Sequence, residues 1–283
     1  MTIYELSVIT NSGFPYYHLK LQNPPKGVRL YLRFFDFSKN YSRNDIKLDS
    51  KDSFDLNAGL VSALYEFARS INKEIDILEF ISKKEEKSSE SLYEGDVLIT
   101  AQTEGFLLHK SISEKIKLIY NNIIKTKIPL ATAQEILQNE EDQIINYLND
   151  SEARSRIKMN KKKLDPLAKS LLTDMKNYGL NSICICSFDL SPLFLISEKY
   201  SMEEINVILR NIGIFPEIKP LEWIYRQSYI KNEPIWVYII KSGVGPNVDG
   251  LSQPYFYLLI AEPQSYLGEF PGKLTLQFNQ VLG

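Results

Sequence analysis

Apolar positions near the start of the chain recur with a period of two in short runs, and then with helical spacing in one longer run. Ile3 to Thr10 sets Tyr4, Leu6 and Val8 on one face of a strand. After a turn candidate at Asn11-Ser12-Gly13, Phe14 to Leu21 alternates Tyr17, Leu19 and Leu21 against Tyr16, His18 and Lys20, which predicts a hairpin. Asn23-Pro24-Pro25-Lys26-Gly27 breaks the chain before a third strand over Val28 to Phe37. A polar loop from Ser38 to Ser53 leads into Asn57 to Asn72, with Ser53 or Asp55 as N-cap. There Leu60, Leu64, Phe67 and Ile71 form an apolar face, broadened by Val61, Ala63 and Ala68. Ser62, Glu66, Arg69 and Lys73 leave only a narrow polar stripe, so the spacing predicts a helix buried on much of its circumference.

Beyond that helix, Glu74 to Ile81 is strand-like and the charged, Ser-rich Lys83 to Ser91 reads as an exposed loop. Asp96 to Ala101 and Phe106 to Lys110 flank a turn candidate at Thr103-Glu104-Gly105 and predict another hairpin. Ser111-Ile-Ser-Glu114 fits a capping box for a helix with Ile112, Ile116, Ile119, Tyr120 and Ile123 on one face, ended by Pro129. A more acidic helix follows over Ala131 to Leu148.

Ser151 to Lys163 is polar and basic with almost nothing to bury, and reads as a linker between domains at 1–150 and 164–283. Asp165-Pro166 then offers an N-cap and a proline at the first helical position, followed at helical period by Leu167, Ala168, Leu171, Leu172, Met175 and Tyr178, with Gly179 as the stop. Ile183 to Phe188 and Leu193 to Ser197 predict a hairpin. Ser201-Met-Glu-Glu204 is a second capping box, opening a helix that buries Met202, Ile205, Ile208, Leu209 and Ile212 and closes at Gly213. Strands over Leu221 to Tyr229, Pro234 to Lys241 and Tyr255 to Glu262 and a helix over Pro271 to Leu282 complete the chain. The expected fold is α+β: two antiparallel-sheet domains, each in the order strand-strand-helix-three strands-helix, with helices packed on the sheet.

This order resembles the longin and roadblock superfamily. Residues 1–150 are similar to a longin domain through Ile3-Tyr-Glu-Leu-Ser-Val-Ile, Gly13-Phe-Pro-Tyr, the Ala58 to Ile71 helix and the two trailing helices. Residues 164–283 are similar to a roadblock domain through the helix Pro166 to Tyr178 before its first strand and through Phe256-Tyr-Leu-Leu-Ile-Ala-Glu-Pro, Leu267-Gly-Glu-Phe and the last helix. The strand at Val28 to Phe37 and the long loop Ser242 to Pro254 depart from the simple pattern. The resemblance, to archaeal GTPase-associated and trafficking-type proteins among others, implies a non-enzymatic platform or regulator that pairs through helices or sheet edges and serves small Ras-like GTPases.

Composition narrows the picture without naming a reaction. With 283 residues, 44% hydrophobic and 24% charged, the chain is that of a globular protein of about two domains. A net charge of −2 provides no global pull toward nucleic acid or anionic membrane, so such binding has to be local. The N-terminus has no basic region and no long apolar run, which predicts neither a leader nor a membrane span and points to the cytoplasm.

No catalytic spacing emerges. Cys184 and Cys186 lie on one face of a strand and read as small core residues. His18 and His109 stand without a nucleophile or ligand set, and Glu140-Glu141-Asp142 and Glu203-Glu204 read as solvated helical positions. Gly243-Val-Gly-Pro-Asn-Val-Asp-Gly250 lacks the Gly-Lys-Ser/Thr ending of a phosphate loop and reads as a flexible connection between strands. No cofactor or metal is expected.

Two surfaces stand out. The stripe Ser62, Glu66, Arg69 and Lys73 is a candidate partner-binding surface, alongside the helix face around Lys115 and Asn122 and free sheet edges, through which the chain could also self-associate. Arg154, Arg156, Lys158, Lys161, Lys162 and Lys163 are candidates for an anionic surface, at about 1 kcal/mol per basic residue near a charged leaflet. The bland reading of that run is a solvated linker paired with the acidic stretch Glu140 to Glu152. No nucleic acid is expected, because no aromatic residues interleave the basic ones. The expected function is a scaffold or regulator for a protein partner such as a small GTPase, with a peripheral membrane adaptor or an enzyme with a noncontiguous site as alternatives.

Overall fold

Two antiparallel sheets and the helices packed against them make an α+β fold. The computed structural model describes residues 2–10, 13–37, 59, 62–70, 97–128 and 135–283. The chain divides into two compact units, Met1–Phe37 with Gly95–Gly283, and Ser38–Glu94. Within the second, residues 62–70 form helix α1. Ala68 is buried there, while Tyr65 and Phe67 are exposed, so the expected wide apolar face is not covered at Phe67. The strand and loop expected over Glu74 to Ser91 lie outside the described residues.

In the first unit, β1 (Ile3–Thr10) pairs with β2 (Pro15–Lys20) and with β4 (Val97–Glu104), and β3 (Leu30–Asp36) pairs with the far side of β4. The sheet order is β2-β1-β4-β3. Leu6, Val8, Leu19, Ile99, Ala101 and Phe35 share its buried face, as their alternation requires. Helix α2 (His109–Ile119) lies on that face, where His109 stacks on Phe35 and Tyr120 on Phe37. Its backbone continues as a π turn over Tyr120–Ile124 and a 3-10 turn over Lys125–Lys127.

Three local elements differ from those the sequence predicts. The hairpin at Thr103-Glu104-Gly105 is absent. β4 runs unbroken to Glu104, the chain turns, and Phe106 enters the core below the second sheet, a stronger burial than a strand edge offers. The capping box at Ser111 is also absent, because Leu108 is the N-cap and Ser111 is buried inside the first turn. The acidic helix α3 spans Gln138–Leu148 and starts later than expected, with the Leu137 N–H donating to Glu140 Oε2 at 2.7 Å.

The second sheet follows the expected order closely. Helix α4 (Ser151–Met175) precedes β5 (Leu180–Cys186) and β6 (Pro192–Ser197). Helix α5 (Met202–Ile212) precedes β7 (Trp223–Ile230) and β8 (Glu233–Lys241). The short pair β9 (Asn247–Val248) and β10 (Leu251–Ser252) is followed by β11 (Phe256–Ala261) and α6 (Phe270–Leu282). The sheet order is β6-β5-β11-β8-β7. Ile183, Ile185, Tyr238, Ile240, Tyr257 and Leu259 face α4 and α6. Cys184, Cys186, Val237, Ile239, Leu258 and Ile260 face α5. At α5 the capping box forms as expected, with the Ser201 N–H donating to Glu204 Oε2 at 2.9 Å and the Glu204 N–H to Ser201 Oγ at 3.3 Å.

Residues 151–163 are not a linker but the first half of the 25-residue α4. Ala153 and Ile157 extend the buried stripe of Leu164, Ala168, Leu171 and Leu172 across what composition marked as a polar break. Pro166 therefore sits inside the helix and not at its start. It occupies the exposed side, where water can serve the carbonyl that loses its N–H partner.

Candidate functional site

A charged node closed to solvent joins the elements of the first sheet to those of the second. Lys115 projects from α2 and its Nζ lies 2.7 Å from Asp150 Oδ1 and 3.2 Å from Asp189 Oδ2, with all three side chains at most 1% exposed. Asp150 follows α3 as the N-cap of α4, in the left-handed region at φ 52°, and Asp189 lies in the turn between β5 and β6. Thr2 Oγ1 donates to Asp189 Oδ2 at 2.7 Å, Ser187 Oγ to Oδ1 at 2.5 Å, and the Ser191 N–H to Oδ1 at 3.0 Å.

The two carboxyls divide their protonation. Burial and then the charge of Asp189 push Asp150 up to about 7, against the pull of Lys115. Asp189 is held well below the usual carboxylate range: burial pushes it up, but the Lys115 charge and the Ser187 and Thr2 hydroxyls outweigh that. Burial pulls Lys115 down, and the two carboxylates more than restore it. Asp150 thus keeps its proton to higher pH than an ordinary carboxyl, and the node has no exposed face to offer a substrate.

A second junction lies at the end of β4. Arg210 on α5 forks onto Glu104, with Nε 3.0 Å from Oε2 and Nη2 2.6 Å from Oε1, and the Tyr4 hydroxyl donates to the same carboxylate. Glu104 is buried, which fixes the fork's geometry.

The most open feature of the second sheet is its β7 edge. Trp223, Tyr225 and Tyr229 share the face that α4 and α6 cover elsewhere on the sheet, yet they are 41%, 56% and 49% exposed. Tyr225 stacks on Trp236 of β8 at 5.3 Å, making a continuous aromatic surface. β7 ends the sheet order, so among the described residues its outer edge has no strand partner, although Asn211 Nδ2 donates to the Tyr229 carbonyl at 2.6 Å.

The candidate residues fall as follows. Ser62, Glu66 and Arg69 are exposed on α1, where Arg69 Nη1 meets Glu66 Oε1 at 3.3 Å, and Lys73 lies outside the described residues. Arg154, Lys158, Lys161, Lys162 and Lys163 are exposed on α4, and Arg156 is half-buried and paired with Glu152 at 3.1 Å. The helix face around Lys115 and Asn122 is corrected: Asn122 is exposed, but Lys115 is wholly buried. A signal for this was present, since Lys115 lies three residues after Ile112 and four before Ile119, inside the apolar stripe. No comparable signal marks Asp150 or Asp189.

His18 Nδ1 lies 3.0 Å from Ser7 Oγ and 3.7 Å from Glu5 Oε1. Both partners approach the same ring nitrogen on an exposed sheet face, so the three do not form a relay from carboxylate through imidazole to hydroxyl. His109 is lowered by burial and by the charges of Arg33 and Lys117. Cys184 and Cys186 are buried with sulfurs 3.7 Å apart. The Gly-rich connection after β8 is not loose: β9 and β10 pair, Asp249 and Gly250 turn between them at φ 47° and 86°, and Tyr147 on α3 donates to Asp249. Among the described residues no group of three His, Cys, Asp or Glu side chains is placed to hold a metal ion, and no helix is long and apolar enough to cross a membrane. No protein-family model matches the chain, and no curated protein matches it.

Proposed function

We propose that this chain is a non-catalytic scaffold or regulator that works through protein–protein contact, with a small Ras-like GTPase as its partner. The observation that carries the reading is the aromatic face of β7. Large side chains with polar tips on a strand with an open backbone edge are the composition and geometry that favour strand addition or a flat protein contact. The ion pairs of Lys115 and Arg210 between elements of the two sheets support the reading by tying the second sheet to the rest of the unit. The partner class rests on the resemblance to longin and roadblock domains, an analogy at the level of fold.

The test is retention of purified small GTPases from the same organism, loaded with GDP or a GTP analogue, on the immobilised full chain, together with a nucleotide-exchange assay. At least one GTPase is expected to be retained, and Trp223→Ala with Tyr225→Ala is expected to lower retention at least about tenfold, as hot-spot aromatic residues do. Retention of none would remove the partner class. Retention untouched by the double substitution would remove β7 as the surface.

A further inference from the structure

Helix α4 carries a charge pattern that contact through β7 leaves unused. Six basic residues, Arg154, Arg156, Lys158, Lys161, Lys162 and Lys163, occur with no acidic residue between Ala153 and Leu164. The helix sorts them by face. Ala153, Ile157, Leu164 and Ala168 point into the core, while Arg154, Lys158 and Lys162 follow one another at four-residue intervals on the outside. Lys169 continues that row beyond the half-buried Asp165, and Lys161 flanks it, the lysines all exposed. From Arg154 to Lys169 the row spans about 22 Å of straight helix.

The acidic stretch that would neutralise this row is engaged elsewhere. Glu140 pairs with Lys127 at 2.9 Å, Glu141 accepts from the Tyr17 hydroxyl at 3.0 Å, and Asp142 accepts from Gln138 at 3.1 Å. Only Glu152 meets the basic run, through Arg156. Among the described residues no acidic side chain pairs with Lys158, Lys161, Lys162 or Lys163. In a protein of net charge −2, this concentrates unpaired positive charge on one helix face. Met159, 70% exposed, adds an apolar side chain in the middle of the run.

We propose that the outward face of α4 is a docking surface for an anionic phospholipid bilayer. A straight row of ammonium groups with an exposed methionine beside it matches a flat layer of lipid phosphate and carboxylate over an apolar interior. Single-stranded nucleic acid fits less well, because the row offers no aromatic side chain on which a base could stack. The inference does not depend on the GTPase reading, and either can fail without the other.

The experiment is co-sedimentation of the full chain with vesicles of phosphatidylcholine alone and of phosphatidylcholine with about one-third phosphatidylserine. Each is measured at about 0.05 M and about 0.5 M salt, with double-stranded DNA as a competing polyanion. Binding is expected only to the phosphatidylserine vesicles and only at low salt. Lys158→Glu with Lys162→Glu is expected to weaken it about 25-fold or more, from about fivefold per basic residue. Lys219→Glu, at an exposed lysine outside α4, is expected to leave binding unchanged. Circular dichroism checks that α4 persists, and Lys158→Gln with Lys162→Gln repeats the reading if the charge reversals disturb folding. Equal binding to neutral vesicles, binding that survives high salt, insensitivity to the α4 substitutions, or retention of DNA in preference to vesicles would each overturn the proposal.

Discussion

Lys115 and Asp150 meet at 2.7 Å where neither side chain reaches solvent, one on the helix that packs on the first sheet and the other at the entry to the helix that packs on the second. A buried ammonium beside two carboxylates is costly to assemble and more costly to break, because removing one member leaves unpaired charge in a medium of low dielectric constant. The node is accordingly the place where substitutions are expected to separate pairing from mere packing.

Lys115→Met keeps the side chain's length and removes its charge, leaving Asp150 and Asp189 facing each other. Urea unfolding is expected to show a loss of about 3–5 kcal/mol. Adding Asp150→Asn to the same chain is expected to recover part of that loss, since one of the two stranded carboxylates is gone. Equal losses in the single and double variants would mean that charge is not the cause.

The pH dependence has a definite sign. Asp150 is raised to about 7 in the folded chain, above its ordinary carboxyl value, so between those values the folded state binds the extra proton. Its contribution is fully present at acidic pH and is lost as pH rises through about 7, with a slope of at most about 1.4 kcal/mol per pH unit. Asp189, held low, acts in the opposite sense, and its stabilisation is lost only as pH falls below the ordinary carboxylate range. Asp150→Asn is therefore expected to flatten the stability profile between about pH 4 and 7 relative to the parent chain. An unchanged slope in the variant would show that another group titrates there.

Arg210→Lys keeps the positive charge but cannot make the two-pronged contact with Glu104. A loss of about 1–2 kcal/mol is expected by chemical denaturation. Glu104→Gln is expected to cost at least as much, because it weakens the Tyr4 and Arg210 contacts together at a buried position.

Gly245 approaches the backbone at Gln253, and a Cβ there would lie 2.0 Å from the Gln253 carbonyl oxygen. Gly245→Ala is expected to lower the melting temperature by several degrees, as a loss of about 2 kcal/mol or more implies. Gly272, in α6, has nothing within 4 Å of the same position. Gly272→Ala is expected to leave stability unchanged or raise it by up to about 1 kcal/mol.

Much of the second sheet was legible because each of its elements carries its own boundary signal. Ser201 and Glu204 open α5 and Gly213 closes it, while Gly179, in the left-handed region at φ 84°, lets the chain turn from the end of α4 into β5. Residues 105–110 were misread because alternation around Gly105 looks the same whether Phe106 pairs in a sheet or plugs a neighbouring core. The start of α4 was misread because Ala153 and Ile157 are too few, among six basic residues, to reveal a buried stripe. Lys115 was placed on the surface by its residue type alone, although its spacing set it among isoleucines. Leu221 to Tyr229 reads only as a strand, since alternation cannot say how far α4 and α6 reach across the sheet.

The sequence by itself determined the α+β class, the strand and helix order of the second sheet, its capping box and the basic run, because caps and periodicities act over a few residues. Tertiary structure alone decided which charges are buried, which acids are spent elsewhere and which aromatic face stays open. The Thr2 hydroxyl meets a carboxylate 187 positions away, and no local spacing encodes the electrostatic environment that such a contact creates.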